Sequence, residues 1–271
     1  MPDALIYADT FRSPELRHEV PLGVPDPILY AEKDGTKHIV TYSMEAVRLA
    51  ELNLYELHLM DELGIDELRR SGRGMTAIRA ELALRGANAI GVESAVVPET
   101  FPVWLADHLR AHGIELTVDK DFFDDRRRVK NEAELAGMRR AQRSAEAAMD
   151  VARELLRTRV ANGGLTVEDV KAAMNVVFAE HNTSCDDFIV APGPQGAVGH
   201  DMGSGPIRAG VPIVIDIWPR DNESFCFCDM TRTFVVGDVP DDVREWHRLC
   251  EEAIDRAISE IARSSASLQR R

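Results

Sequence analysis

Two strand-like runs, each interrupted by a single carboxylate, constrain this chain more than any other stretch. They lie in residues 211–236, VPIVIDIWPRDNESFCFCDMTRTFVV. Val211, Ile213, Ile215 and Ile217 alternate with Val214, Asp216 and Trp218, the period of a half-buried strand. The second run is rich in Phe, Thr, Val and Cys, and the RDNES between them has turn chemistry. Asp216 and Asp229 are 13 residues apart, an odd number. A symmetric antiparallel hairpin centred on Asn222-Glu223 therefore sets them directly opposite each other, with Cβ atoms roughly 4.5–5.5 Å apart. Like charges that close on a half-buried sheet repel and lose hydration. A shared proton, a nearby Arg or Lys, or a bound cation relieves this, and a hard divalent cation suits carboxylate oxygens best. A register offset by one residue instead puts the two on opposite faces.

The rest of the chain bounds what such a hairpin can belong to. At 271 residues it is long enough for two domains of ordinary size. The net charge of −14, from 32 basic and 46 acidic residues, argues against nucleic acid or an anionic membrane as partner, because phosphate contacts need a basic surface. No apolar run approaches the roughly 20 residues needed to span a bilayer. The N-terminus, MPDALIYADTF, lacks the basic and apolar segments of a secretory signal. Four sparse cysteines, Cys185, Cys226, Cys228 and Cys250, form no disulfide framework, so a cytoplasmic location is expected.

Residues 1 to about 125 alternate strand-like and helix-like segments, which predicts an α/β domain with a mixed or largely parallel sheet. The expected strands include residues 4–8, 57–60, 89–92 (AIGV) and 115–118. A hairpin is expected around Asp34-Gly35, and Ser43 is expected to cap a helix. The charge run DFFDDRRRVKNEAEL (residues 121–135) reads as a solvated connector into a long helix. That helix carries the stripe Met138, Ala141, Ala145, Ala148, Met149, Ala152, Leu155 and Leu156. The alternation stops at this run, which sets the predicted domains at 1–125 and 126–271. Asn162-Gly163-Gly164 is expected to end the helix. Thr166 caps the next one, with the stripe Val167, Val170, Met174, Val177 and Phe178. A short strand at 188–190, a Gly-rich loop containing His200, the hairpin, and a helix over 241–261 complete the reading.

RRRVKNEAEL leading into a long helix, then a histidine in a loop, then VIDIW and DMTRTF, resembles the M24 "pita-bread" metallopeptidases: aminopeptidase P, prolidase and creatinase-like proteins. Arg127, Lys130 and Glu134 are part of the pattern. The resemblance covers nearly the whole chain. It implies α/β and α+β architecture, a creatinase-type N-terminal α/β domain followed by an incomplete pita-bread domain. It also implies a dinuclear site of five ligands holding two Mn, Co or Zn ions. Asp216 and Asp229 match the family's two aspartate ligands, and His200, 16 residues before Asp216, matches its first substrate-side histidine. The family's usual spacing between the aspartates is shorter by one residue pair, which preserves parity.

By the same resemblance the remaining His and two Glu ligands lie further along than the chain extends, since only 42 residues follow Asp229. His247 with Glu251 is the one later candidate pair, and a solvated helix face is its plain reading. The chain is thus expected to be a C-terminally truncated relative of an Xaa-Pro aminopeptidase or dipeptidase. It would act on a peptide or other small-molecule substrate, with impaired or no activity, as a homodimer. Two alternatives stay open: a creatinase-like or other non-peptidase hydrolase or lyase of the same fold, and a non-catalytic dimerisation or binding module.

Overall fold

The computed structural model describes residues 2–160 and 163–268. It divides into two compact units, Met1–Gly137 with Glu223–Phe225, and Met138–Asn222 with Cys226–Arg271.

The first unit is built on a six-stranded mixed sheet. Its strands are β1 (Ala4–Ala8), β2 (Ile28–Lys33), β3 (Thr36–Thr41), β4 (Glu56–Leu59), β5 (Ser94–Val97) and β6 (Glu115–Val118), in the order β4-β3-β2-β1-β5-β6. β1, β2 and β3 pair antiparallel, while β3–β4, β1–β5 and β5–β6 are parallel. Asp34 and Gly35 make the β2–β3 turn with φ of 49° and 81°, the left-handed pair that matches the strand twist. β1 reads as an unbroken apolar run because both of its faces are covered. Leu5 and Tyr7 pack in a core with α3 (Ile65–Arg70), α4 (Met75–Ile90) and α5 (Val103–Ala111). Ala4 and Ile6 face Leu16 of α1 (Pro14–Glu19), Leu49 of α2 (Ser43–Ala50) and Phe123 of α6 (Lys120–Arg128).

Three local expectations change. AIGV is not a strand: α4 runs through Ile90 and stops at Gly91, whose φ of 82° lets its amide and that of Val92 close on the last carbonyls. The strand starts three residues later, at Ser94. Ser43 is the first residue of α2, not its cap; Tyr42 holds that position without a side-chain bond. The charge run is not a bare connector. Asp119 accepts from the Phe122 amide at 3.0 Å and starts α6, which buries Phe123 and turns Arg126 inward.

Arg126 meets Glu19, which is only 6% exposed. The Glu19 carboxylate accepts from Arg126 Nε at 2.7 Å, Lys37 Nζ at 2.8 Å and the Tyr30 hydroxyl at 3.1 Å. Arg126 also donates to Glu32. Burial alone pushes the Glu19 carboxyl up, and the bonds and charges of Arg126 and Lys37 more than reverse this, holding it below the ordinary glutamate range.

The second unit takes most of α7 (Glu132–Arg159), α8 (Val167–Glu180) and α9 (Asp241–Leu268). Its strands are β7 (Thr183–Ser184), β8 (Ile189–Pro192), β9 (Pro212–Ile217), β10 (Arg220–Asp221) and β11 (Met230–Val235). β9 is central in a three-stranded antiparallel sheet, and β10 pairs with β7. The α7 stripe Ala141, Ala145, Ala148 and Ala152 is fully buried with Val170, Met174 and Phe178 of α8 against Val190, Ile213, Ile215 and Ile217. Thr166 and Asp169 form the capping box that starts α8. The expected stop at Asn162 lies outside the described residues. α9 is longer than expected, reaching Leu268, and Trp246, Leu249, Ile254, Ile258 and Ile261 on it are exposed.

Candidate functional site

β9 and β11 place the two aspartates, and their register differs from the symmetric expectation. Thr231, not Asp229, stands opposite Asp216, and Met230 stands opposite Ile217. The same register runs on toward the turn: the Cys228 amide donates to the Pro219 carbonyl at 3.0 Å, Arg220 bridges Phe227, and the Asp221 amide donates to the Cys226 carbonyl at 2.9 Å. Asp229 therefore falls opposite Trp218. The loop is Asn222–Phe225, one residue further along than the predicted centre, and Phe225 takes φ of 57° to close it. Moving the centre by a whole residue shifts the pairing by two, so parity survives. Asp216 and Asp229 share a face as a diagonal pair rather than an opposed one.

That face is the open one. Ile213, Ile215 and Ile217 point into the core at 0% exposure. On the other side of β9, Val214, Asp216 and Trp218 are half-buried, and Asp229 and Thr231 across from them are exposed. The Thr231 hydroxyl donates to Asp216 Oδ1 at 2.5 Å, which orients the carboxylate. On the far side of β9, Ile189 of β8 stands opposite Asp216.

The segment bearing His200 starts on this same face. A 3-10 turn, Gly193–Ala197, packs over Val214, where a Cβ on Gly196 would lie 3.0 Å from Val214 Cγ2. His200 lies three residues beyond the turn, exposed, with φ of 62°. The chain then returns to the free edge of β8, where the Val190 amide donates to the Met202 carbonyl at 3.2 Å. Gly203 is obligatory there: its φ is 76°, and a Cβ would sit 1.8 Å from the Val190 carbonyl oxygen. Gln195 closes the loop through bonds to the Ser204 amide and carbonyl.

Residues 136–269, which hold the hairpin and the loop of His200, match metallopeptidase family M24. Over that stretch the chain resembles family M24. The fold agrees with M24 relatives of known structure. The prolidase from Pyrococcus horikoshii OT3 superposes with a TM-score of 0.67 at 19% identity, over 95% of this chain and 67% of that one. The X-Pro aminopeptidase from Thermotoga maritima gives 0.63 at 19% identity, over 95% and 67%. The Xaa-Pro dipeptidase from Bacillus anthracis gives 0.65 at 16%, over 90% and 63%. The likeness takes in both units and carries the expected α/β and α+β fold class. The chain spans about two thirds of the length of these relatives. No curated protein matches it in sequence.

The M24 hairpin is bolted to α7 by residues that sequence reading passed over. Arg140 forms a two-pronged ion pair with Asp221, Nε to Oδ1 and Nη2 to Oδ2, both 2.8 Å. Asp221 is 1% exposed. One turn along α7, the fully buried Ser144 hydroxyl meets Thr183 Oγ1 at 2.7 Å, on the strand paired with Asp221. No local pattern marks these contacts, because Arg140 and Asp221 are 81 residues apart.

Arg127 and Glu134, which the sequence resemblance singled out, lie before the matched stretch and make structural contacts. Arg127 pairs with Glu15 at 3.1 Å. Glu134 caps α7 reciprocally with Asn131 and meets the His18 ring at 3.1 Å. His247 and Glu251 stand 3.9 Å apart on an exposed helix face, as their plain reading had it. Two of the cysteines are held as thiols: burial pushes the Cys185 thiol up to about 11, and burial followed by the charge of Asp229 raises Cys228, whose Sγ lies 2.8 Å from Gln142.

The donor set decides what metal the chain itself can hold. Asp216 and Asp229 are hard oxygen donors on one open face and suit a divalent cation chemically. Among the described residues, no group of three or more His, Cys, Asp or Glu side chains is placed to hold a metal ion. The described residues thus bring the two aspartates to one face and do not assemble the five-ligand cage that the resemblance implies.

Proposed function

We propose that the second unit carries the carboxylate side of an M24-type hydrolytic centre, with Asp216 and Asp229 holding one divalent cation and His200 facing the substrate. The observation that carries this reading is the shared open face of the two aspartates inside the M24-matching region. The substrate class, by likeness to the prolidases and Xaa-Pro aminopeptidase above, is a peptide with proline at its second position. A bound Mn, Co or Zn ion supplies an activated water and polarises the scissile carbonyl. The chain's own residues bind and orient: Thr231 fixes the Asp216 carboxylate, and the loop pinned by Gly203 presents His200. The X-prolyl aminopeptidase from Caenorhabditis elegans is described as a cytosolic enzyme with a di-nuclear active site. Asp216 and Asp229 are the two carboxylates on this face, and two carboxylates by themselves hold a cation weakly.

The test is hydrolysis of a dipeptide such as Gly-Pro in the presence of excess Mn²⁺. The expected result is slow turnover that disappears in Asp216→Asn. Turnover that persists in Asp216→Asn would overturn the assignment. A second reading is a non-catalytic dimerisation or binding module made of the first unit, which the absence of a three-ligand group among the described residues leaves open. A stable homodimer without measurable hydrolysis favours that reading.

A further inference from the structure

The register of the β9–β11 hairpin decides the geometry of its acidic pair. A slip of one residue pair would set Asp229 directly across from Asp216, where like charges repel most strongly. The observed register sets them on a diagonal, puts Trp218 across from Asp229, and gives Asp216 a hydroxyl partner in Thr231. Neither strand specifies this by its apolar pattern, because a two-residue slip keeps every side chain on its own face. Something outside the two strands must fix it.

We infer that Arg140 is a positioning residue for the acidic pair: its two bonds to Asp221 pin the hairpin beside its turn and so select the diagonal register. The inference rests on reading Asp216 and Asp229 as cation ligands. Asp221 is the residue that can transmit this constraint. Its amide closes on Cys226 at the loop, its backbone pairs with Thr183, and its buried carboxylate is held by the planar guanidinium of Arg140. A planar two-pronged pair fixes orientation as well as distance, which a single ammonium does not. Arg140 lies on the face of α7 that also presents Ser144 to Thr183, so β10 and its partner strand are gripped by one helix face. In a slipped hairpin another residue would replace Cys226 opposite Asp221, and the loop would have to reclose with a different length.

The test uses the full chain and two readouts. In Arg140→Leu, amide exchange in residues 230–235 is expected to speed at least tenfold relative to α8, and the cross-strand nuclear Overhauser contact between Asp216 and Thr231 to weaken or vanish. Mn²⁺-induced broadening of the Trp218 and Thr231 amide signals is expected to need at least tenfold more metal. Arg140→Lys, which keeps the charge but not the fork, is expected to recover part of both effects. If Arg140→Leu does not fold, Asp221→Asn provides the same comparison with its shape preserved. An unchanged Asp216–Thr231 contact and unchanged exchange in β11 would overturn the inference, as would equal acceleration in α8 and β11, the mark of a merely stabilising ion pair. Failure of the wild-type chain to show any Mn²⁺ effect would count against the cation reading alone, since the exchange and contact measurements need no metal.

Discussion

Thr231 and Asp216 stand directly across the hairpin from each other, joined by a 2.5 Å bond from hydroxyl to carboxylate. The bond gives one acid of the pair a fixed orientation and relieves part of its charge. Thr231→Val keeps the shape and removes the donor. It is expected to cost about 0.5–1 kcal/mol in urea unfolding, the ordinary worth of one hydrogen bond, and to weaken Mn²⁺ binding several-fold by calorimetry. Binding equal to wild type would show that Thr231 does not orient the ligand.

Gly203 carries the loop of His200 on its contact with Val190. In Gly203→Ala the added Cβ meets a backbone oxygen and the positive φ becomes strained, at a cost of roughly 2 kcal/mol or more. Hydrogen exchange is expected to rise in residues 198–205 and at the Val190 amide, with α7 unaffected. Normal protection at Val190 would contradict this close approach.

The buried Glu19 network makes the first unit sensitive to acid. The folded carboxyl titrates below its unfolded value, so its contribution is present in full above the ordinary glutamate pKa of about 4.3 and is lost as pH falls through the lowered folded value. Arg126→Met leaves a buried carboxylate with Lys37 and Tyr30 only, and is expected to cost about 3 kcal/mol at pH 7. The difference between variant and wild type should shrink as pH is lowered past 4. A difference independent of pH would show that packing, not charge, holds Arg126.

Much of the fold is legible from local pattern. Asp34-Gly35 announces its turn because two successive left-handed residues are required there. Thr166 and Asp169 announce the start of α8. AIGV misleads because its glycine ends a helix rather than a strand, and the apolar residues before it belong to the helix. The face shared by Asp216 and Asp229 follows from an odd spacing, but the pairing does not. It depends on a loop closed by Phe225 in a left-handed conformation that bulky residues rarely adopt, and on Arg140, remote in sequence. Loop closure and long-range ion pairs leave no periodic trace, so the face is readable and the register is not.

The exposed side chains of α9 make a contrasting case. Ile254→Lys and Ile258→Lys change residues that are 58% and 61% exposed. Their effect on the unfolding of the chain is expected to stay within about 0.5 kcal/mol. A larger loss would mean that these side chains are buried in solution.

The most direct test of the account is an equilibrium Mn²⁺ titration followed by electron paramagnetic resonance on the wild-type chain, Asp216→Asn, Asp229→Asn and the double variant. If the two carboxylates hold one cation together, the wild type binds a single weak Mn²⁺, each single variant loses at least tenfold in affinity, and the double variant loses little more than either. Affinity that survives both substitutions, or losses that simply add, would contradict a shared site.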